Sequence, residues 1–99
     1  MIFNIDAFLE QTQLPPVHDC LRGKLEHVDN TENLNVRMSY QPRDEFANPM
    51  GHVQGGMICS MLDNSMGLFA LIANKGKPSA TITINVAFVR PCEIAHVDV

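Results

Sequence analysis

A chain of 99 residues has room for a single hydrophobic core, and its formal charge of −4, with a pI near 5.4, leaves no basic stripe for nucleic acid. An apolar share of 45% against 18% charged residues is ordinary for a soluble globular domain, and so small a domain is expected to gain stability by assembling with copies of itself. Cys20, Cys59 and Cys92 have neither an even count nor metal-ligand spacing, so reduced thiols in a cytoplasmic setting are expected rather than a disulfide framework.

The N-terminal stretch carries Ile2, Ile5, Phe8 and Leu9 at a short helical period, which predicts a helix over 2–12 ended by Leu14-Pro15-Pro16. It lacks the charged and apolar blocks of a signal peptide, and no run is expected to be long enough to span a membrane. Residues 23–29 alternate only partly and read as a strand. After the polar turn 30–33, Leu34, Val36, Met38 and Tyr40 alternate cleanly, so the two segments predict a hairpin. Pro42, Pro49 and the charged cluster Arg43-Asp44-Glu45 make 41–51 a loop.

The long helix is predicted over 55–74, with Met57, Ile58, Met61, Leu62, Met66, Phe69 and Ile72 at helical spacing. Apolar side chains cover most of its circumference, so burial on nearly all sides is expected. Residues 74–78 close it with glycine and proline. Ile82, Ile84, Val86 and Phe88 against Thr81, Thr83 and Asn85 make 79–89 the clearest strand, broken by Pro91, and 96–99 starts another extended segment. A helix buried all round requires a curved antiparallel sheet as its wrapper.

Chemistry concentrates between Asn48 and Asp63. Gly55-Gly56 opens the helix straight after a loop, where the first amides lack internal acceptors and sit at the positive end of the dipole. Such a terminus can stabilise a developing oxyanion, although paired glycines also serve a tight turn. Asp63 falls inside the most apolar helix, where a desolvated carboxylate would make a stronger base; the pattern alone favours a solvated strip shared with Ser60 and Asn64. Asn48 precedes Pro49 and fits either a carbonyl-orienting amide or a turn opener. From Gly56 to Asp63 the helix rises about 10 Å at ~1.5 Å per residue. One chain cannot easily bring both groups to the same carbonyl carbon, so a catalytic reading requires a site shared by two subunits.

Asn48-Pro-Met-Gly51-His-Val-Gln54-Gly55-Gly56, followed by Leu62-Asp63 and by the strand Thr81-Ile-Thr-Ile-Asn-Val-Ala-Phe-Val-Arg90-Pro91, resembles the signature of the PaaI-type hotdog thioesterases. The resemblance runs from about Gly23 to the last residue. It implies an α+β hotdog fold over 1–99, a central buried helix wrapped by a curved antiparallel sheet, and hydrolysis of acyl-CoA in a dimer or a dimer of dimers. Asp63 would be general base or nucleophile, the amide of Gly55 or Gly56 would polarise the thioester carbonyl, and Asn48 would hold that carbonyl or the water. Thr81 would support the water, and Arg90 would lie near the CoA phosphates. No cofactor, metal, membrane or nucleic-acid partner is implied.

Two features depart from the family pattern. Gln54 stands where a histidine is usual and can hydrogen-bond but not shuttle protons. A hotdog sheet normally has two more strands after Pro91; without them the helix would be partly unwrapped and the sheet would expose an edge, so either the C-terminal part is incomplete or a partner completes the fold. A non-catalytic acyl-CoA-binding or structural subunit is the alternative function. A hydratase of the same fold resembles the chain less, because no His–acid pair flanks the helix.

Overall fold

The computed structural model describes residues 4–99. Helix α1 spans Ile5–Gln11, capped by the Asn4 side chain, which accepts from the Ala7 amide at 3.0 Å; the expected residue Ile2 lies outside the described residues. A short helix, α2, covers Pro16–Cys20 where only a break was expected. Pro16 ends nothing here: it occupies the first helical turn, where its missing N–H removes no bond.

Strands β1 (Gly23–Asp29) and β2 (Asn35–Tyr40) form the expected antiparallel hairpin, and β3 (Val97–Asp98) pairs with the other side of β2. The partial alternation of β1 has a structural cause. Leu25 faces Met38 while His27 faces Arg37, so Glu26 is an extra residue, a bulge. In a regular strand Leu25 and Val28 would point to opposite faces; the bulge returns both to the core. The displaced Glu26 accepts a 2.6 Å hydrogen bond from the buried Ser39 hydroxyl, which holds its carboxyl below the usual carboxylate range.

After a 3-10 turn at Asp44–Phe46, helix α3 runs over Gly55–Ala73 and ends at a turn with Lys75 and Gly76 both at positive φ. It lies across β2. The core joins Leu21, Met38, Tyr40 and Val53 to Met61, Leu68 and Ile72 from the helix.

Three expectations are corrected. Helix α3 is buried along one stripe only, Met61, Ser65, Leu68 and Ile72, while Met66 and Phe69 are exposed, because a three-stranded sheet covers one side of a helix and not its circumference. The segment 79–89 is not a strand. It passes beside α3 without a ladder partner, leaving Ile82, Phe88 and Val89 exposed. Alternation states which side chains can share a face, but a strand exists only through another backbone's hydrogen bonds. Finally, α3 is itself long and apolar enough, by length and composition, to cross a membrane, contrary to the expectation that no run was.

Gly23 begins β1 against α2. A Cβ there would sit 2.6 Å from His18 Cε1, 2.7 Å from His18 Nδ1 and 3.0 Å from Tyr40 Cε1. Both rings are buried, so neither can yield freely. Gly23→Ala is expected to destabilise the fold by about 1–3 kcal/mol, read as a lower urea midpoint at unchanged slope.

Candidate functional site

The rotation of α3 decides which of its polar residues face what. Ser65 falls in the buried stripe, and its hydroxyl lies 2.7 Å from the Tyr40 hydroxyl. Asn64, one residue earlier, donates from Nδ2 to Tyr40 Oη at 3.0 Å and meets His18 Nδ1 at 3.1 Å. Asn64 is therefore not part of a solvated strip; it ties α2, β2 and α3 together. Ser60 turns back to the Gly56 carbonyl at 3.0 Å.

Asp63 precedes this pair and points the other way. It is half-buried, and its Oδ1 accepts a 2.6 Å hydrogen bond from the Thr81 hydroxyl. The contact anchors the unpaired segment 79–89 to the helix. It also orients the carboxylate and leaves Oδ2 without a protein partner among the described residues. Both residues line a cavity of about 340 Å³, together with Leu14, Val17, His18, Leu68 and Leu71.

The other candidate residues gather one helical rise away. Asn48, Gly55 and Arg90 line a second hollow of about 410 Å³ with Met50, Ile58 and Phe88, and neither Asp63 nor Thr81 belongs to it. The candidate residues thus fall into two separate groups in one chain: a carboxylate with its hydroxyl, and a helix terminus with an amide and a guanidinium.

The helix terminus differs in detail from the simplest sequence reading. Gln54 is the N-cap of α3, and its Oε1 accepts from the Gly56 amide at 2.7 Å. That donor is taken. The Gly55 amide has no hydrogen-bond partner among the described residues, and a Cβ on Gly55 would press on the Phe88 ring at 3.2 Å, so glycine lets that ring pack close to the backbone. Asn48 fulfils its turn role: its Oδ1 accepts from the Met50 and His52 amides, each at 3.0 Å. Its Nδ2 has no hydrogen-bond partner among the described residues, and Asn48 is among the residues lining the hollow.

Sequence reasoning passed over the Tyr40–Asn64–His18 connection. A tyrosine on the buried face of a strand was the available signal, since a buried phenol requires a partner. Nothing in the sequence pointed to His18, which is 46 positions from Asn64.

Comparison with known proteins places this architecture. The thioesterase superfamily model matches residues 50–99, a span that contains Gln54, Gly55, Gly56, Asp63, Thr81 and Arg90. The chain belongs to the thioesterase superfamily, as a hotdog-fold protein of the PaaI type, with the long helix at its centre and a small open antiparallel sheet. In that fold α3 is the core helix, which accounts for its apolar composition. Among solved structures it is similar to a phenylacetic acid degradation-related protein from Ralstonia eutropha JMP134, itself a candidate thioesterase. The two share 29% identity at a TM-score of 0.79, and the match covers 94% of this chain and 71% of the other. No curated protein sequence matches the chain. Thioester hydrolysis is the activity these likenesses support.

Thr81→Val keeps the side-chain shape and deletes the hydrogen bond to Asp63. A bond to a charged acceptor contributes about 1.5–3 kcal/mol, so thioester turnover is expected to fall roughly tenfold or more in kcat, with KM little changed. Thr81→Ser should restore it; steady-state kinetics on the three proteins decides.

Proposed function

We propose that the chain is an acyl-CoA thioesterase whose active site is completed by a second copy. The observation that carries the proposal is the Asp63–Thr81 pair, a half-buried carboxylate fixed by a 2.6 Å hydrogen bond in the wall of a cavity. With Oδ1 held by Thr81, Oδ2 is available to take a proton from water, or to attack the thioester carbon itself, expelling the CoA thiolate and leaving a mixed anhydride that water hydrolyses. Water addition converts the carbonyl into a tetrahedral oxyanion, and collapse expels the CoA thiolate, which receives the proton. The Gly55 amide at the positive end of α3 suits the oxyanion, with Asn48 Nδ2 as second donor. Gln54 holds the Gly56 amide, and swinging its side chain aside would release a further donor. Arg90 lies in the same hollow as Gly55, a position fitted to CoA phosphate.

The separation of the two half-sites in one chain supports assembly. So does the segment 79–89, uncharged throughout, with exposed Ile82, Phe88 and Val89 and an unpaired backbone suited to pairing with another copy. Three free cysteines support a reducing, cytoplasmic setting. A second reading has its own observation: Gln54 closes one oxyanion donor, which would suit a subunit that binds acyl-CoA without hydrolysing it.

Release of CoA thiol from a panel of acyl-CoAs tests the proposal. Phenylacetyl-CoA is included because the Ralstonia relative is named for phenylacetic acid degradation. Turnover is expected, and Asp63→Asn should lower kcat on the order of a thousandfold without unfolding the protein. Mixing Asp63→Asn with Gly55→Val, each inactive alone, should restore part of the activity if the site is shared between copies. Folded wild type that releases no thiol from any acyl-CoA would leave the binding subunit as the function, and near-normal turnover by Asp63→Asn would remove Asp63 from the mechanism.

A further inference from the structure

Asn64 stands next to Asp63 on α3, and its side-chain amide meets two acceptors: Nδ2 lies 3.0 Å from Tyr40 Oη and 3.1 Å from His18 Nδ1. An amide nitrogen only donates, so His18 Nδ1 must accept. A neutral imidazole that accepts at Nδ1 carries its one proton on Nε2. The tautomer of His18 is therefore set by the helix it touches. The ring itself is held in place. It is buried, and β1 passes so close that a Cβ on Gly23 would sit 2.6 Å from Cε1 and 2.7 Å from Nδ1.

Asp63 and Asn64 share one turn of α3, and Asp63 lines the same cavity as His18. The carboxylate is fixed by its 2.6 Å hydrogen bond from Thr81, so its direction depends on how that turn of the helix is held. Tyr40 holds the turn from the sheet, through Asn64 and Ser65. His18 holds it from the N-terminal side, through the other Asn64 proton. A second proton on His18 can enter only at Nδ1, since Nε2 already carries one, and Nδ1 is the lone pair that Asn64 uses. An imidazolium would set two donors face to face. The titratable groups around the ring are Tyr40 from β2 and Asp63 from α3, across the cavity. Gly23 of β1 and Ser79 and Thr81 of the passing segment add no charge, no lysine or arginine lines the cavity, and Asp19 and Cys20 on α2 are exposed.

We propose that His18 is a positioning residue for Asp63, acting through Asn64 and only as the neutral tautomer with its proton on Nε2. It touches no reacting atom; it keeps the turn of α3 that carries the carboxylate in register with Thr81. Protonation of the ring releases Asn64 and lets that turn shift, so activity is present while His18 is neutral and is lost as the pH falls and the ring takes up a proton. The role rests on the thioesterase reading for its effect on turnover; the tautomer does not.

Two variants separate positioning from bulk. His18→Asn keeps an acceptor near the place of Nδ1, because the asparagine Oδ1 is the same number of bonds from the backbone, and it does not titrate. His18→Leu removes the acceptor and keeps an apolar side chain. Circular dichroism verifies the fold of both. At about pH 8, above the interval in which histidine ordinarily takes up a proton, His18→Leu is expected to lower kcat roughly tenfold with KM little changed, and His18→Asn to stay within about threefold of wild type. On lowering the pH, wild-type kcat should decline before that of His18→Asn. Equal kcat in wild type and His18→Leu, no rescue by His18→Asn, or acid limbs that coincide in wild type and His18→Asn would overturn the proposal. Nitrogen NMR shifts of the wild-type imidazole read the tautomer without turnover: a bare Nδ1 is expected, and a proton on Nδ1 would overturn the proposal whether or not thioesters are hydrolysed. If no thioester is hydrolysed, the thioesterase reading fails separately, and the carboxyl carbon shift of Asp63 takes the place of kcat. His18→Leu should move that shift and His18→Asn should not; a shift unmoved by His18→Leu would sink the positioning role.

Discussion

The Tyr40 hydroxyl lies at the contact between sheet and helix, buried to 1% exposure, with Ser65 and Asn64 of α3 both bound to it. Apolar packing alone is non-directional and would tolerate small rotations of the helix. Two hydrogen bonds from consecutive residues to one phenol do not, since each 100° step of the helix carries a polar atom away from its partner. The rotational phase of α3 is thereby fixed. With Ser65 and Asn64 turned toward Tyr40 and His18, Asp63 must point to the side where the segment 78–81 passes. The carboxylate's exposure, its hydrogen bond to Thr81 and its position on the cavity rim all follow from that phase.

The same network explains why the N-terminal region matters to a site formed by the helix. His18 of α2 meets Asn64, and α2 is followed by Gly23, whose missing side chain lets β1 pass against the His18 ring. The stretch from Thr12 to Val17, which precedes and begins α2, forms one wall of the cavity at Asp63. Helix, hairpin and N-terminal segment are joined by one set of polar atoms whose loss would leave buried groups unpaired. No buried side-chain polar atom among the described residues lacks a partner. Core packing and construction of the candidate site are in this respect one problem.

The two ends of the candidate machinery are held differently. Asp63 is fixed by tertiary contacts, whereas the helix terminus is organised locally: Gln54 caps Gly56, and Asn48 binds the amides of Met50 and His52 within its own loop. Local turns of this kind form without help from distant chain. Gln54 caps the terminus by accepting from an amide, a task needing no proton transfer. Gln54 thus occupies the Gly56 amide and has no hydrogen bond to Asp63 or Thr81.

The sequence by itself determined whatever depends on neighbours along the chain. The span of α3, its glycine opening and its Gly76 ending, the hairpin with its turn, and the family motif from Asn48 to Pro91 were all legible, because period and capping are local properties. Pro16 as a helix start is a local signal of the same kind, since proline fits the first helical turn. Beyond reach were the bulge at Glu26, which is defined by the partner strand, and the unpaired state of 79–89, since alternation names a face and no partner. The burial of α3 along a single stripe belongs with them, because an apolar circumference states what could be covered, not how many strands cover it. The contact of His18 with Asn64, and with it the wall of the cavity at Asp63, depends on two segments far apart in sequence meeting in space. Only the tertiary structure decides such a meeting, since long-range contacts leave no periodicity in the residues that make them.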